Sequence, residues 1–291
     1  MCKDNLLKRA RAKYLSINFA IKLRNGNPES PLRQSYLNTY HCLNNMIVDE
    51  DGYLKGKYCK NRWCAVCNRI RTGHLINSYE PELKKFKEPY FITLTRKTCL
   101  KSELENRMKE MQNCHRSMLR KYVRKEKKSI VGLRKSECTV RPGGRYHFHY
   151  HYLVDGQGAG DYLLNEWLDK NADSGIDGQD LRRANEGSIK ELFKYFTKVT
   201  HKGELSNIKS LDWIFQKMRG KRVFQPFGGL KKVTEDIDQD LIKREKLPLG
   251  KEGLEWRWRE IDWISEHAEC LTGYTPSEKL QEFFNRPTLQ K

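Results

Sequence analysis

The sequence RYHFHYHYLVDG, residues 145–156, most constrains how this chain can fold. Successive side chains of a β-strand point to opposite faces. His147, His149 and His151 would therefore share one face, while tyrosine and phenylalanine side chains would form a packing surface on the other. The imidazoles would lie about 7 Å apart along the strand, and imidazole is a common metal ligand. The pattern predicts a strand that carries a metal site.

The segments around this strand predict an α+β fold, with helices flanking a central antiparallel sheet. PYFITLT, residues 89–95, is short, apolar and β-rich. Gly143 and Gly144 separate two β-rich segments, which indicates a hairpin. Helical patterns occur in DYLLNEWLDKNA, residues 161–172, and in SIKELFKYFTKVT, residues 188–200. The order of strands and helices is typical of helices packed on an antiparallel sheet.

The distribution of charge predicts a polyanionic partner. The chain has a net charge of +19, and residues 235–291, with 9 basic and 13 acidic side chains, account for −4 of it. Residues 1–234 therefore carry +23. A protein this basic usually binds nucleic acid, although charge alone does not distinguish DNA from RNA.

We predict three regions. Residues 1–75 would form a basic N-terminal helix and a cysteine zinc knuckle, residues 76–235 the main α+β domain, and residues 236–291 an acidic-leaning helical tail of unassigned role. No apolar segment is long enough to span a membrane, and the first residues do not resemble a secretion signal. We therefore expect a cytoplasmic protein with reduced cysteines and no membrane partner.

Four cysteines predict a structural zinc site. Cys59, Cys64 and Cys67 lie within YCKNRWCAVC, and Cys42 precedes Cys59 by 17 residues. Four thiolates form a closed tetrahedral zinc site. His41 could replace Cys42 in this set, and buried cysteines without a metal are the alternative to any zinc site.

A second metal site would need a ligand in addition to the histidines. Glu137, in RKSECTV on the preceding strand of the hairpin, offers a carboxylate. Two imidazoles with one carboxylate suit a divalent cation that keeps positions open for substrate, either Mg²⁺ or Mn²⁺. Glu137 could instead be an ordinary cross-strand partner on the surface.

The helical pattern from Ser188 onward places Glu191, Tyr195 and Lys198 together on one flank. A tyrosine hydroxyl can be a covalent nucleophile. Because its ordinary pKa is about 10, it needs a nearby cation, which Lys198 could supply. In the structural alternative, Tyr195 packs beside the buried stripe and Glu191 forms a capping box with Ser188.

These segments together resemble the rolling-circle replication initiators of small plasmids, within the HUH endonuclease superfamily. The resemblance runs from about residue 42 to residue 232 and rests on five segments in the right order: CKNRWCAVC, FITLT, HYH, ELFKYFTK and MRGKRVFQPFGGLKK. Where the family often has tryptophan and proline, this chain has Tyr146 and Phe148. His147 would then support the site instead of binding the metal.

The resemblance implies a fold of ferredoxin/RRM-like topology and a nicking activity. Tyr195 would attack one DNA strand, form a 5′-phosphotyrosine and release a 3′-OH primer, with a divalent metal held by His149, His151 and Glu137. Glu191 would activate water for the terminating cleavage. The implied partners are a single-stranded or hairpin origin with a duplex flank, a host helicase and a host polymerase; the oligomeric state stays open.

Three other functions remain possible at this point. A transposase or a phage replication protein could use the same chemistry at a different DNA site. A non-catalytic, zinc-containing protein that binds nucleic acid would bind zinc but cut no strand. An RNA-binding sheet would need an exposed aromatic pair, which Tyr150 and Tyr152 could imitate.

Overall fold

The computed structural model describes residues 2–193, 200–201, 204–205, 207–233, 247 and 252–285. The helices are α1 Cys2–Gly26, α2 Arg33–Tyr40, α3 Ala65–Leu83, α4 Leu104–Glu126, α5 Gln157–Lys170, α6 Glu186–Leu192, α7 Ile208–Met218 and α8 Glu278–Asn285. The strands are β1 Asn45–Val48, β2 Leu54–Gly56, β3 Pro89–Thr95, β4 Gly132–Arg141, β5 Arg145–Asp155, β6 Asp180–Arg183, β7 Thr200–His201, β8 Glu204–Leu205, β9 Phe224–Phe227, β10 Glu255–Arg259 and β11 Asp262–Ser265.

The chain divides into two compact units. The first comprises Met1–His74, Lys202–Gln216 and Asp236–Lys291, and the second comprises Leu75–His201 and Lys217–Glu235. Both contain helices and an antiparallel sheet. The predicted α+β class is therefore confirmed. Within the described residues, no helix has both the length and the apolar character required to cross a bilayer.

The second unit contains a five-stranded antiparallel sheet in the order β6-β3-β5-β4-β9. Its centre is the predicted hairpin of β4 and β5. A short turn at Pro142–Gly144 connects the two strands, and both Gly143 and Gly144 have positive φ angles. Residues without a Cβ adopt such angles at no steric cost, so the two glycines allow the chain to reverse here.

The aromatic face of this sheet is its core. Tyr150 and Tyr152 of β5 are buried there beneath α4 and α5. The Tyr152 hydroxyl lies 3.2 Å from Nδ1 of the buried His115 of α4. On α5, Trp167 is fully buried and its Nε1 donates a 2.9 Å hydrogen bond to the Thr95 carbonyl. The opposite face carries the histidines.

The first unit contains a four-stranded antiparallel sheet in the order β11-β10-β1-β2. The structure differs here from the helical tail predicted for residues 236–291: β10 and β11 lie in that region, with α8 after them. The two strands bury Trp256 and Trp263, and Trp263 Nε1 donates a 2.8 Å hydrogen bond to the Leu43 carbonyl. Burial of these indoles favours strands that complete the sheet over a helix.

Candidate metal centres

The register of the β4–β5 pair determines which side chains meet on the histidine face. Glu137 lies directly opposite His149, and Lys135 lies directly opposite His151. On the other side of β5, Thr93 of β3 pairs with His151. Because directly paired residues project to the same face, a carboxylate, two imidazoles and an ammonium group converge at the middle of the sheet.

Glu137, His149 and His151 form a group whose potential ligand atoms all lie within 4.8 Å of one another. The Nε2 atoms of His151 and His149 lie 3.5 Å and 4.0 Å from Glu137 Oε2. The other ring nitrogens face different partners: Nδ1 of His151 is 3.0 Å from Thr93 Oγ1, and Nδ1 of His149 is 3.3 Å from the His147 carbonyl oxygen. Such outer contacts orient an imidazole for metal binding through its remaining nitrogen.

His147 lies outside this ligand group. Its ring stacks on that of His149 at a centroid distance of 5.0 Å, and its carbonyl faces His149 Nδ1. The structure thus brings together the three residues predicted as ligands and places His147 beside them.

The protonation states of His149 and Glu137 fit a divalent cation. Burial lowers the pKa of His149 to about 3, so its imidazole is neutral at neutral pH. Burial alone would raise the pKa of Glu137, but interaction with His151 and the positive charge of Lys135 outweigh burial and hold it below its usual range. Metal binding requires a neutral imidazole and an ionised carboxylate. Two imidazole nitrogens and one carboxylate oxygen suit Mn²⁺ or Mg²⁺.

Lys135 is the residue of this site that the sequence reasoning missed. Its side chain is only 1% exposed, and its Nζ donates a 2.8 Å hydrogen bond to Glu137 Oε2. Lysine is rarely buried this completely without a partner of opposite charge. The available signal was its position two residues before Glu137, which puts both side chains on the same face of β4.

Helix α6 packs on the same face of the sheet. Leu192 and Phe193 share a buried cluster with Phe91 and Leu153, and Phe193 stacks on Phe224 at 5.2 Å. The Phe91 ring in turn stacks on His151 at 5.5 Å. Helix α6 and the residue that follows it therefore cover part of the histidine face.

Asn185 caps the N-terminus of α6. Its Oδ1 accepts a 3.0 Å hydrogen bond from the Ser188 N–H, and the Ser188 hydroxyl accepts one of 3.1 Å from the Asn185 N–H. This reciprocal pair is a capping box between Asn185 and Ser188. It lies three residues before the Ser188–Glu191 box considered from the sequence. Glu191 lies in the last turn of α6 and is half-buried. Tyr195 and Lys198 lie outside the described residues.

The first unit contains the predicted cysteine cluster. The Sγ atoms of Cys42, Cys59, Cys64 and Cys67 lie within 4.8 Å of one another. Cys67 Sγ is 3.5 Å from Cys42 Sγ and 3.6 Å from Cys59 Sγ. Zinc–sulfur bonds of about 2.3 Å in a tetrahedron separate the sulfurs by about 3.8 Å, so the four thiols fit zinc. His41 is not part of the cluster; its Nδ1 lies 3.3 Å from Asn44 Nδ2.

Lys13 of α1 supports the cysteine cluster. Its fully buried side chain donates hydrogen bonds from Nζ to the carbonyl oxygens of Cys42, at 2.5 Å, and Tyr40, at 2.9 Å. Burial lowers the pKa of Lys13 to about 8, although the nearby thiols oppose this change. A cation beside four thiolates would offset part of their negative charge.

Comparison with known proteins finds similar replication proteins. Residues 53–157 match a family described as replication protein. A Staphylococcus aureus protein named Protein rep is 31% identical over 174 residues, which cover 51% of this chain and 72% of that protein. A Lentilactobacillus hilgardii protein of the same name is 28% identical over 117 residues, which cover 37% of each chain. No solved structure matches the chain.

Replacement of Lys135 by methionine should destabilise the protein in the absence of metal. The change leaves the buried Glu137 carboxylate without its nearest cation, and breaking a buried ion pair costs about 3–5 kcal/mol. Urea unfolding with a chelator present measures this loss. The control is Lys121→Met, which removes a half-exposed lysine paired with Glu166 and should cost less than about 1 kcal/mol. Equal losses of unfolding free energy in the two variants would show that the buried pair stabilises the protein no more than an exposed pair does.

The cysteine cluster should bind one zinc ion per chain. We expect Cys64→Ser and Cys42→Ser to lose the zinc and to lower the unfolding midpoint, because a structural zinc ion contributes directly to folding. His41→Ala is the matched control and should retain it. Elemental analysis of the purified variants gives the zinc content. If Cys42→Ser retained its zinc and His41→Ala lost it, the histidine would be the fourth ligand.

Proposed function

Because the chain belongs to the replication protein family and is a plasmid replication initiator, we propose that it starts rolling-circle replication by cutting one strand of its origin DNA with Tyr195. The product is a 5′-phosphotyrosine on the protein and a free 3′-OH on the DNA. A host polymerase extends that 3′-OH and a host helicase separates the strands. In this proposal the second unit is an HUH endonuclease domain of ferredoxin/RRM-like topology.

The observation that carries the proposal is the Glu137, His149 and His151 group on the sheet face that α6 covers. Leu192 and Phe193 hold the end of this helix against that face. Tyr195 follows Phe193 by two residues in the chain. The proposal therefore assigns the nucleophile to a residue that is close in sequence to a helix covering the metal ligands.

Glu137, His149 and His151 would hold Mg²⁺ or Mn²⁺. The cation would supply Lewis-acid stabilisation of the negative charge that develops at the phosphate during attack. The contacts with the Thr93 hydroxyl and the His147 carbonyl fix the imidazoles before DNA arrives, which avoids reorganisation of the site during the reaction.

In the first cleavage, the Tyr195 oxygen forms an ester bond to phosphorus and the bond from phosphorus to the 3′ oxygen breaks. The tyrosine hydroxyl gives up its proton, and the departing 3′ oxygen takes one to become the primer hydroxyl. Lys198, three residues beyond Tyr195 and on the same predicted helical flank, stabilises the phenolate.

Glu191 acts in the terminating cleavage as the general base that removes a proton from water. It precedes Tyr195 by four residues in the sequence. Asn185 and Ser188 cap the N-terminus of α6.

The cysteine cluster supplies a structural zinc site in the first unit, and the chain's basic character provides affinity for DNA. Residues 1–234 carry a charge of +23, which favours single-stranded or hairpin DNA and its duplex flank as ligands.

A denaturing gel tests the proposed chemistry. Protein is incubated with single-stranded oligonucleotides that tile the candidate origin of its own replicon, with and without Mn²⁺. We expect a covalent protein–DNA band that requires the metal and decreases more than about 1,000-fold in Tyr195→Phe, because the nucleophile is lost. Tyr122→Phe, a tyrosine of α4 that packs on Tyr162, serves as the control and should retain the band.

Two other results would change the proposal. A metal-dependent band that survives Tyr195→Phe would retain the enzyme class and assign the nucleophile to another residue. The absence of any band with the wild-type protein would favour a non-catalytic, zinc-containing protein that binds nucleic acid.

Replacement of Glu191 by glutamine should separate the two cleavages. We expect normal formation of the first covalent product but a terminating cleavage slower by about 10²–10⁴-fold, which is the usual contribution of a general base. Accumulation of the covalent complex during a time course measures this effect. Glu105→Gln, which changes a half-buried carboxylate at the start of α4, is the control. Normal termination in Glu191→Gln would contradict the role of Glu191.

A further inference from the structure

Three arginines form a row on the outer side of α4. Arg116, Arg120 and Arg124 are exposed and recur every four residues, about one helical turn. Within the part of the chain that the structure describes, none of these side chains makes a hydrogen bond or an ion pair. Two neighbouring lysines differ: Lys121 pairs with Glu166, and Lys125 pairs with Glu126. We call the three residues the arginine row.

The arginine row is not explained by the stability of α4. Like charges four residues apart destabilise a helix by about 0.2–0.5 kcal/mol per pair. Basic residues favour a helix C-terminus only within its last turn, which includes Arg124 but not Arg116 or Arg120. Residues 116–128 contain seven basic side chains and one acidic side chain. Such a concentration of positive charge is typical of a surface that meets a polyanion.

The geometry of the arginine row suits a DNA backbone. Leu119 and Val123 lie beside Arg120 and Arg124 and form a shallow, open surface depression with them. From Arg116 to Arg124 the row extends about 12 Å along the helix. Duplex DNA presents one charge per about 1.7 Å of its axis, so several phosphates lie within reach. Guanidinium groups bind phosphate oxygens through paired hydrogen bonds.

The arginine row lies on the opposite side of the sheet from the candidate metal site. The inner side of α4 buries His115, which packs on Tyr150 and Tyr152. These tyrosines alternate along β5 with His149 and His151, so the two sets project to opposite faces. A DNA segment bound at the arginine row would therefore be a different segment from the one cut at the metal ligands.

We propose that the arginine row binds the backbone of duplex DNA that flanks the cut strand, an inference that rests on the proposed function for its choice of nucleic acid. Proteins that bind single strands stack bases on exposed aromatic rings. The aromatic residue nearest the row, Tyr122, instead packs edge-on against Tyr162 at 4.8 Å. The row offers charge without a stacking platform, which favours a duplex.

The test is the salt dependence of duplex binding. Fluorescence anisotropy measures the affinity of the full-length protein for a labelled duplex from its replicon, next to the candidate nick site, at four salt concentrations. Each lost phosphate contact reduces the slope of log affinity against log salt by about 0.9. We expect the R116Q/R120Q/R124Q variant to reduce that slope by about 2 to 3, and R116K/R120K/R124K to preserve most of it.

A matched control removes the same charge elsewhere in the second unit. The K84Q/K85Q/K87Q variant changes three exposed lysines and should alter the slope by less than about 1. An unchanged slope in R116Q/R120Q/R124Q, or equal losses in the two glutamine variants, would overturn the proposal. Metal-dependent cleavage of single-stranded oligonucleotides should persist in R116Q/R120Q/R124Q. Absence of that cleavage in the wild-type protein would count against the nicking function. The anisotropy measurement tests independently whether the arginine row binds duplex DNA.

Discussion

The antiparallel pairing of β4 with β5 is the constraint on which the second unit depends. The ladder runs without interruption from the Gly132–Val154 pair to the Arg141–Arg145 pair. Because side chains alternate along a strand, a slip of one residue would move Glu137 to the tyrosine face and leave the histidines without a carboxylate. The hairpin turn prevents that slip, since its two glycines close the strands in a single register. Packing of the aromatic face and assembly of the candidate metal site are therefore consequences of the same hydrogen-bonded ladder.

The two faces of this sheet differ in the side chains that they bury and in how burial affects stability. The face with Tyr150 and Tyr152 is buried beneath helices and stabilises the fold by removing aromatic surface from water. The opposite face buries Glu137 and Lys135, although burial of charges is unfavourable unless they are paired. An apolar pair of similar size would stabilise the sheet at least as well. The charged group is thus better explained by the binding of a cation than by stability.

The strand pattern was readable because alternation of side chains depends only on local backbone geometry. Residues 145–156, the hairpin glycines and Glu137 could all be placed from that rule. The burial of Lys135 could not, because it depends on which neighbouring strand and helix cover the face. The cap that Asn185 provides for α6 was not predicted, although Asn185, three residues before Ser188, offers the same chemistry one turn earlier. In the tail, the alternation of tryptophan and arginine in residues 255–259 was a strand signal that the helical prediction overlooked.

The two candidate metal centres differ in a way that bears on function. The cysteine cluster offers four thiols, which complete a tetrahedron and leave no position for substrate. The group on β4 and β5 offers three ligands, fewer than a hard divalent cation requires, so the remaining positions would be filled by water or by phosphate oxygens. A protein that only bound nucleic acid through a zinc segment would have no use for the second arrangement. An open three-ligand centre beneath α6 is the arrangement that the proposed strand cleavage requires.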